Sequence, residues 1–278
     1  MKFKTKNAFK TVIVIFSVIL AVLLAVDIFI GNYLVSFALT RPDEKGRSVA
    51  PESSTTSEAD KITDANIRML SEKTKAWLET VSPETAEIQS DDGLHLKGDI
   101  ISTPEENHLW AIVIHGYTAK RIYMYDYACA YAEQGWNVLL PDMRTHGESE
   151  GNYIGMGWLD RLDVLKWIDL IRERDEQAQI ILHGVSMGGA TVMMTSGENL
   201  PENVRAIIDD CGYTSVWDIF SDELNYLFHL PEFPFLYTAD VISKIRAGYS
   251  FQEASALNQV EHAEVPMMFI HGSADSFV

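Results

Sequence analysis

A mostly parallel α/β sheet with helices on both faces is the fold class this sequence predicts, and three observations carry it. The 278 residues are 47% hydrophobic and 22% charged, with 17 Gly and 9 Pro, the composition of a folded chain of one or two domains. Short apolar, β-rich runs alternate with helical stretches through the second half, and the later runs are continuously apolar, as expected of strands buried on both faces. One run leads without a spacer into Gly-x-Ser-x-Gly and then into helix-compatible residues.

The N-terminus stands apart from the rest. Lys2, Lys4, Lys6 and Lys10 precede Thr11 to Ile30, twenty residues with Asp27 as the single charge. As a helix that stretch spans about 30 Å, the thickness of a hydrocarbon core. The lysines place the amino end in the cytoplasm and the remainder outside it, an uncleaved single-pass anchor in the cell membrane with the lipid bilayer as its partner. A cleavable signal peptide is the alternative, with Ser36 and Ala38 before the cut, but the apolar run is longer than the usual about 7 to 15 residues. Residues 1–40 therefore read as basic tail and anchor, 41–62 as a Ser/Thr/Pro/Glu-rich stalk, and 63–278 as the folded α/β domain.

From Asp64, the spacing of Ile67, Leu70, Trp77, Leu78 and Val81 predicts an amphipathic helix ending at Ser82-Pro83. Strand-like runs follow at 86–90, 94–101, 109–115, 136–142, 179–184, 204–210 and 266–272. Helical stretches lie near 121–134, 158–173 and 187–198. In an open sheet of this kind the chemistry belongs at the carboxyl ends of the strands.

Two Gly-x-Ser-x-Gly matches occur, and context separates them. A nucleophile elbow needs a strand running into it and a helix leaving it, because the tight turn lifts the hydroxyl clear of the sheet. Gly184 follows QIILH directly and MGGATVMMTSGE continues as helix, so Ser186 is the candidate nucleophile. Gly147, Ser149 and Gly151 are separated from their strand and followed by NYIGMGW, a loop, so Ser149 is the decoy. The elbow supplies one oxyanion donor, the backbone N–H of Met187, and the HGYTA turn after the third run supplies a second, that of Tyr117. Asp275, on the loop after the last run, is the candidate acid, with Asp209 and Asp210 as runners-up.

HGYTA, DMRTHGESEG, GVSMGG and HGSADSFV, in this order and spacing, resemble the α/β hydrolase superfamily. The likeness is in particular to bacterial serine hydrolases grouped with monoacylglycerol lipases and serine aminopeptidases, including forms with an N-terminal membrane segment. It runs from about Ala86 to the last residue. The resemblance implies Ser186 as nucleophile, Tyr117 and Met187 as oxyanion donors, Asp275 as triad acid, and a helical cap between the sixth and seventh strands, about 216–264. It also implies a histidine after the acid, whereas His95, His108, His115, His146, His183, His229, His262 and His271 all precede Asp275. His146, after the fourth run, is the one nearest the active face. The expectation is an incomplete chain lacking the final strand, its helix and the triad histidine, and inactive as written.

The function expected is a serine hydrolase cleaving a carboxylic ester of a hydrophobic small molecule through an acyl-enzyme, with no metal and no organic cofactor. The first 40 residues carry net charge +3 and the rest −21, which argues against nucleic acid as a partner. The cap is rich in Trp, Phe and Tyr, suited to an apolar group or simply to packing, and Ser250 with Glu253 resembles a capping box. A peptidase or acyltransferase of the same fold, or a membrane-tethered binding protein without catalysis, stays open. Cys129 and Cys211 read as free thiols.

Overall fold

The computed structural model describes residues 2–41, 58–104 and 107–275. The central sheet has seven strands, β1 (Glu84–Gln89), β2 (His95–Ile101), β3 (Leu109–Ile114), β4 (Asn137–Pro141), β5 (Gln179–Val185), β6 (Val204–Asp210) and β7 (Met267–Ile270). Their spatial order is β1-β2-β4-β3-β5-β6-β7. β2 runs antiparallel to both β1 and β4, and the remaining neighbours are parallel. Each of the seven runs marked in the sequence is a strand.

The continuous apolar runs are explained by two cores, one on each face. In β3, Trp110, Ile112 and Ile114 enter the larger core, while the alternate residues Ala111 and Val113 enter the smaller one. A two-residue side-chain period with both faces covered leaves no position for a polar residue. Helices α4 (Asp160–Arg174) and α5 (Met187–Thr195) cover the larger face. Helix α3 (Tyr125–Ala132), entered through a 3₁₀ turn at Arg121–Met124, covers the smaller with the end of α2 (Glu58–Leu78). Cys129 is buried and Cys211 half-buried, both as free thiols.

Helix α2 starts at Glu58, so residues 58–62, assigned to the stalk in the sequence, are helical, and the rest of the stalk, 42–57, lies outside the described residues. Glu58, Ala59 and Lys61 are all good helix formers, which favours the earlier start. Trp77 and Val81 pack against the smaller core as expected, but Ile67 and Leu70 stay exposed.

Helix α1 spans Lys2–Leu39, and from Lys10 it is long and apolar enough to cross a membrane, with none of that apolar window buried in the protein. Its last two turns are different. Val35 and Leu39 are fully buried in the larger core, and Ile154 N–H donates to Leu39 O at 2.7 Å. The apolar helix thus runs without a break into the α/β body.

Between β6 and β7 lie α6 (Val216–Phe228), α7 (Phe235–Arg246) and α8 (Ala256–Val260). The aromatic residues of this segment pack largely on one another: Trp217 meets Tyr237 edge to face at 4.9 Å and Phe220 meets Phe251 at 4.8 Å. The Ser250–Glu253 capping box forms reciprocally, Ser250 N–H to Glu253 Oε1 at 3.0 Å and Glu253 N–H to Ser250 Oγ at 3.2 Å. It opens only a turn, because Ser255 caps the next helix, α8, two residues on.

Candidate active site

Ser186 sits between the last residue of β5 and the first of α5, at φ 56° and ψ −119°. This is a region an L-residue enters only under constraint. The two flanking glycines supply the constraint. A Cβ on Gly184 would lie 1.9 Å from Gly188 O, and one on Gly188 would lie 2.2 Å from Ile114 O. The strand therefore runs against the helix that leaves it, and that helix against β3, at distances no side chain permits. Ser186 N–H donates to Asp210 O at 2.8 Å and Ser186 O accepts from Ala190 N–H at 3.0 Å, so the turn is fastened to β6 and to its own helix.

The loop after β3 closes over this turn. A Cβ on Gly116 would be 3.2 Å from Ser186 Cβ and 3.5 Å from Ser186 Oγ, so Tyr117 is the next residue along the rim. Two buried histidines fix the loop from below. His115 Nδ1–H donates to Gly116 O at 2.8 Å while its Nε2 accepts from Met143 N–H at 3.0 Å. His146 Nδ1–H donates to Arg144 O at 2.9 Å while its Nε2 accepts from Thr118 N–H at 3.2 Å. Burial keeps both imidazoles neutral, and with His115 beside it His146 is pushed down to about 3. With both ring nitrogens bonded to backbone, His146, the histidine placed nearest the active face from sequence, holds the loop and is not free to act as a base. Met187 begins α5, where amides have no acceptor within the helix, and its side chain is fully buried.

The decoy serine also has its role. Ser149 Oγ accepts from Lys97 N–H at 2.9 Å and donates to Asp142 O at 2.7 Å, a buried staple between β2 and the loop after β4. Asp142 in turn accepts from Arg121, which also pairs with Asp99 and Glu148.

Among the acids, Asp209 is buried, accepts from Gly212 N–H at 2.9 Å and is pushed up to about 6, mainly by burial. It supports the turn after β6 against α5: a Cβ on Gly189 would meet its Oδ1 at 2.3 Å. Asp210 faces the other side, where Tyr127 Oη–H donates to it at 3.1 Å. Asp275 lies on the loop after β7, its N–H bonded to Gly272 O at 3.0 Å and its Oδ2 3.9 Å from His271 Nε2. Cys211, just past the end of β6, donates its N–H to Ile270 O at 2.8 Å. Ser186, Cys211 and Asp275 follow the carboxyl ends of the neighbouring strands β5, β6 and β7. Burial raises the Cys211 thiol, which keeps it protonated.

Two features had no signal in the sequence. Tyr117 Oη–H donates to Ala38 O at 2.7 Å, and Arg41 donates to Gly147 O at 2.7 Å and Ser149 O at 3.2 Å, so the end of α1 borders the site. Beneath the loop after β4, Arg144 grips Asp163 through two bonds of 2.7 and 2.8 Å, with fully buried Asp160 alongside pushed up to about 7. Among the described residues no group of three or more His, Cys, Asp or Glu could hold a metal ion.

Residues 106–215 match the family model described as serine aminopeptidase, S33. A curated relative, the uncharacterized protein YqkD of Bacillus subtilis, is 30% identical over 192 residues, which is 69% of this chain and 63% of the relative. YfhR of Escherichia coli K12 is 26% identical over 205 residues, covering 71% and 64%. The chain thus spans just under two thirds of the length of these relatives. Among solved structures, the Pyrococcus furiosus esterase Pf2001 superposes with a TM-score of 0.58 at 25% identity, over 72% of this chain and 74% of that one. The Pyrococcus horikoshii acylaminoacyl peptidase gives 0.52 at 17% identity, over 71% and 32%, a likeness of fold alone.

Proposed function

We propose, for a chain that belongs to the α/β hydrolase superfamily, that Ser186 is the nucleophile of an enzyme that cleaves a carboxylic ester through an acyl-enzyme intermediate. The observation that carries this reading is the backbone of Ser186, held at φ 56° between a strand and a helix by two glycines that no other residue could replace. A structural serine has no use for such strain, whereas a nucleophile gains exposure from it.

In this reading an imidazole oriented by the Asp275 carboxylate takes the Ser186 proton as Oγ attacks the ester carbonyl. The tetrahedral oxyanion accepts hydrogen bonds from the N–H groups of Met187 and Tyr117, amides fixed in advance by the α5 N-terminus and the histidine-pinned loop. Collapse expels the alcohol with the imidazole's proton, and water, deprotonated by the same base, then releases the acid. Helix α1 serves as the membrane anchor, with the body outside the cytoplasm.

Likeness to the Pf2001 esterase supports an ester substrate. The description of the matching family model favours a second reading, an aminopeptidase. The test is labelling of the full-length gene product with a fluorophosphonate. Transfer of the label to Ser186, lost in Ser186→Ala, supports the nucleophile, and an unlabelled Ser186 in folded protein refutes it. Comparing p-nitrophenyl esters with aminoacyl p-nitroanilides separates the two substrate classes.

A further inference from the structure

Helix α7 has three different faces. Leu236, Ala239, Asp240 and Ser243 are buried toward the body. Thr238, Ile242 and Arg246 face α1: Thr238 Oγ1–H donates to Asp27 Oδ2 at 2.5 Å, and Arg246 Nη1 donates to Asn32 Oδ1 at 2.7 Å and Ser36 Oγ at 2.9 Å. Gly31 marks the closest approach, since a Cβ there would be 2.9 Å from the Thr238 methyl and 3.2 Å from Ile242 Cδ1. The third face continues the exposed Phe233 as a row at four-residue spacing, Tyr237, Val241 and Ile245, with Phe233 75%, Val241 59% and Ile245 78% exposed. Four large apolar or aromatic side chains in one row, presented to water, need a partner.

The pairing with α1 identifies it. Residue 27 meets 238, residue 31 meets 238 to 242, and residues 32 and 36 meet 246, so the two helices run side by side in the same direction. If the twenty residues Thr11 to Ile30 fill the hydrocarbon core, Asp27 lies about 4.5 Å inside its outer edge and Ser36 about 9 Å outside it, at 1.5 Å per residue. Helix α7 is thereby carried through the layer of lipid headgroups. The segment before it, 229–234, sets Leu230, Pro231 and Phe233 beside His229 and Glu232, and Phe228, the last residue of α6, meets Tyr33 and Phe37 of α1 edge to face at 6.2 and 5.4 Å.

We propose that the row Phe233, Tyr237, Val241 and Ile245 is a bilayer-docking surface, immersed in the outer headgroup and upper acyl region beside the membrane helix. The occupant is lipid, because α7 lies alongside a helix whose apolar window has no protein cover. This rests on the reading of α1 as a membrane anchor, and is independent of the chemistry at Ser186. Docking fixes the body against the bilayer at two points, α1 and α7, and so sets its orientation.

The test uses the full chain in phosphatidylcholine vesicles, with an environment-sensitive fluorophore attached to Phe233→Cys or Val241→Cys. The unsubstituted chain, labelled in parallel, reports the background from Cys129 and Cys211. Ile19→Cys in the middle of α1 and Glu173→Cys on exposed α4 serve as membrane-deep and water-exposed references. Lipids spin-labelled near the headgroup should quench positions 233 and 241 by about half, mid-chain labels should quench position 19, and neither should quench position 173. Unquenched 233 and 241 beside a quenched 19 would overturn the docking surface, and an unquenched 19 would overturn it together with the anchor. No substrate enters the measurement, so failure of the ester reading is registered separately, by the fluorophosphonate.

Discussion

If the turn at Ser186 stores strain for the sake of exposure, removing the side chain in two different ways should separate strain from chemistry. At φ 56° and ψ −119° a residue with a Cβ carries a conformational cost of roughly 1 to 3 kcal/mol. Ser186→Ala keeps that Cβ and loses the hydroxyl. Ser186→Gly loses both and relaxes the turn, at an unfolded-state entropy penalty of about 0.4 to 1 kcal/mol. The glycine variant should therefore be the more stable of the two by roughly 0.5 to 2 kcal/mol, a rise in Tm of about 2 to 6 °C for a body of this size. Thermal melts of the two variants in the same detergent measure it, and both should refuse the fluorophosphonate. A glycine variant that melts at or below the alanine variant would show that the turn is unstrained and refute the argument from backbone geometry.

The flanking glycines should behave in the opposite way. Gly184→Ala and Gly188→Ala each drive a Cβ to about 2 Å from backbone oxygen, so each should cost more than about 4 kcal/mol and be seen as loss of protease-resistant protein. Ser149→Ala should lower stability by about 1 to 3 kcal/mol in melts, because Lys97 N–H is left without its acceptor, while fluorophosphonate labelling continues. Arg144→Met leaves the Asp163 carboxylate buried without its partner and should cost about 3 to 5 kcal/mol, measured in the same way. Burial pushes Asp160 up to about 7 from an unfolded value near 4. The folded chain therefore holds the proton more tightly, and the stability this contributes is complete below about pH 4 and lost as pH rises through 7. Asp160→Asn should flatten the fall in Tm between about pH 5 and pH 8, and an unchanged slope would count against a neutral Asp160.

The elbow was legible in the sequence because its physics is local. A strand, a Gly-x-Ser-x-Gly turn and a helix follow one another within about twenty residues, and the glycines mark where backbone meets backbone. The same locality separates Ser186 from Ser149, whose flanking residues enter no strand. Strand positions were legible for a related reason: both faces of the sheet are covered, so β3 and β4 are apolar almost throughout and β5 and β6 have apolar centres, Ile180 to Leu182 and Ala206 to Ile208. The start of α2 was displaced because its first turns are polar and carry no apolar period.

What the sequence by itself determined was therefore the apolar N-terminal span, the alternation of strand and helix, and the strained serine. Each is set by interactions between neighbours in the chain, whose periodicity and turn chemistry are written in order. Only the tertiary structure decided that His115 and His146 pin the Tyr117 loop, that Asp209 supports a turn, and that the end of α1 closes against α7 and the Tyr117 hydroxyl. Those contacts join residues up to about two hundred positions apart, and whether a histidine is base or staple depends on which distant backbone groups its two nitrogens meet when the chain packs.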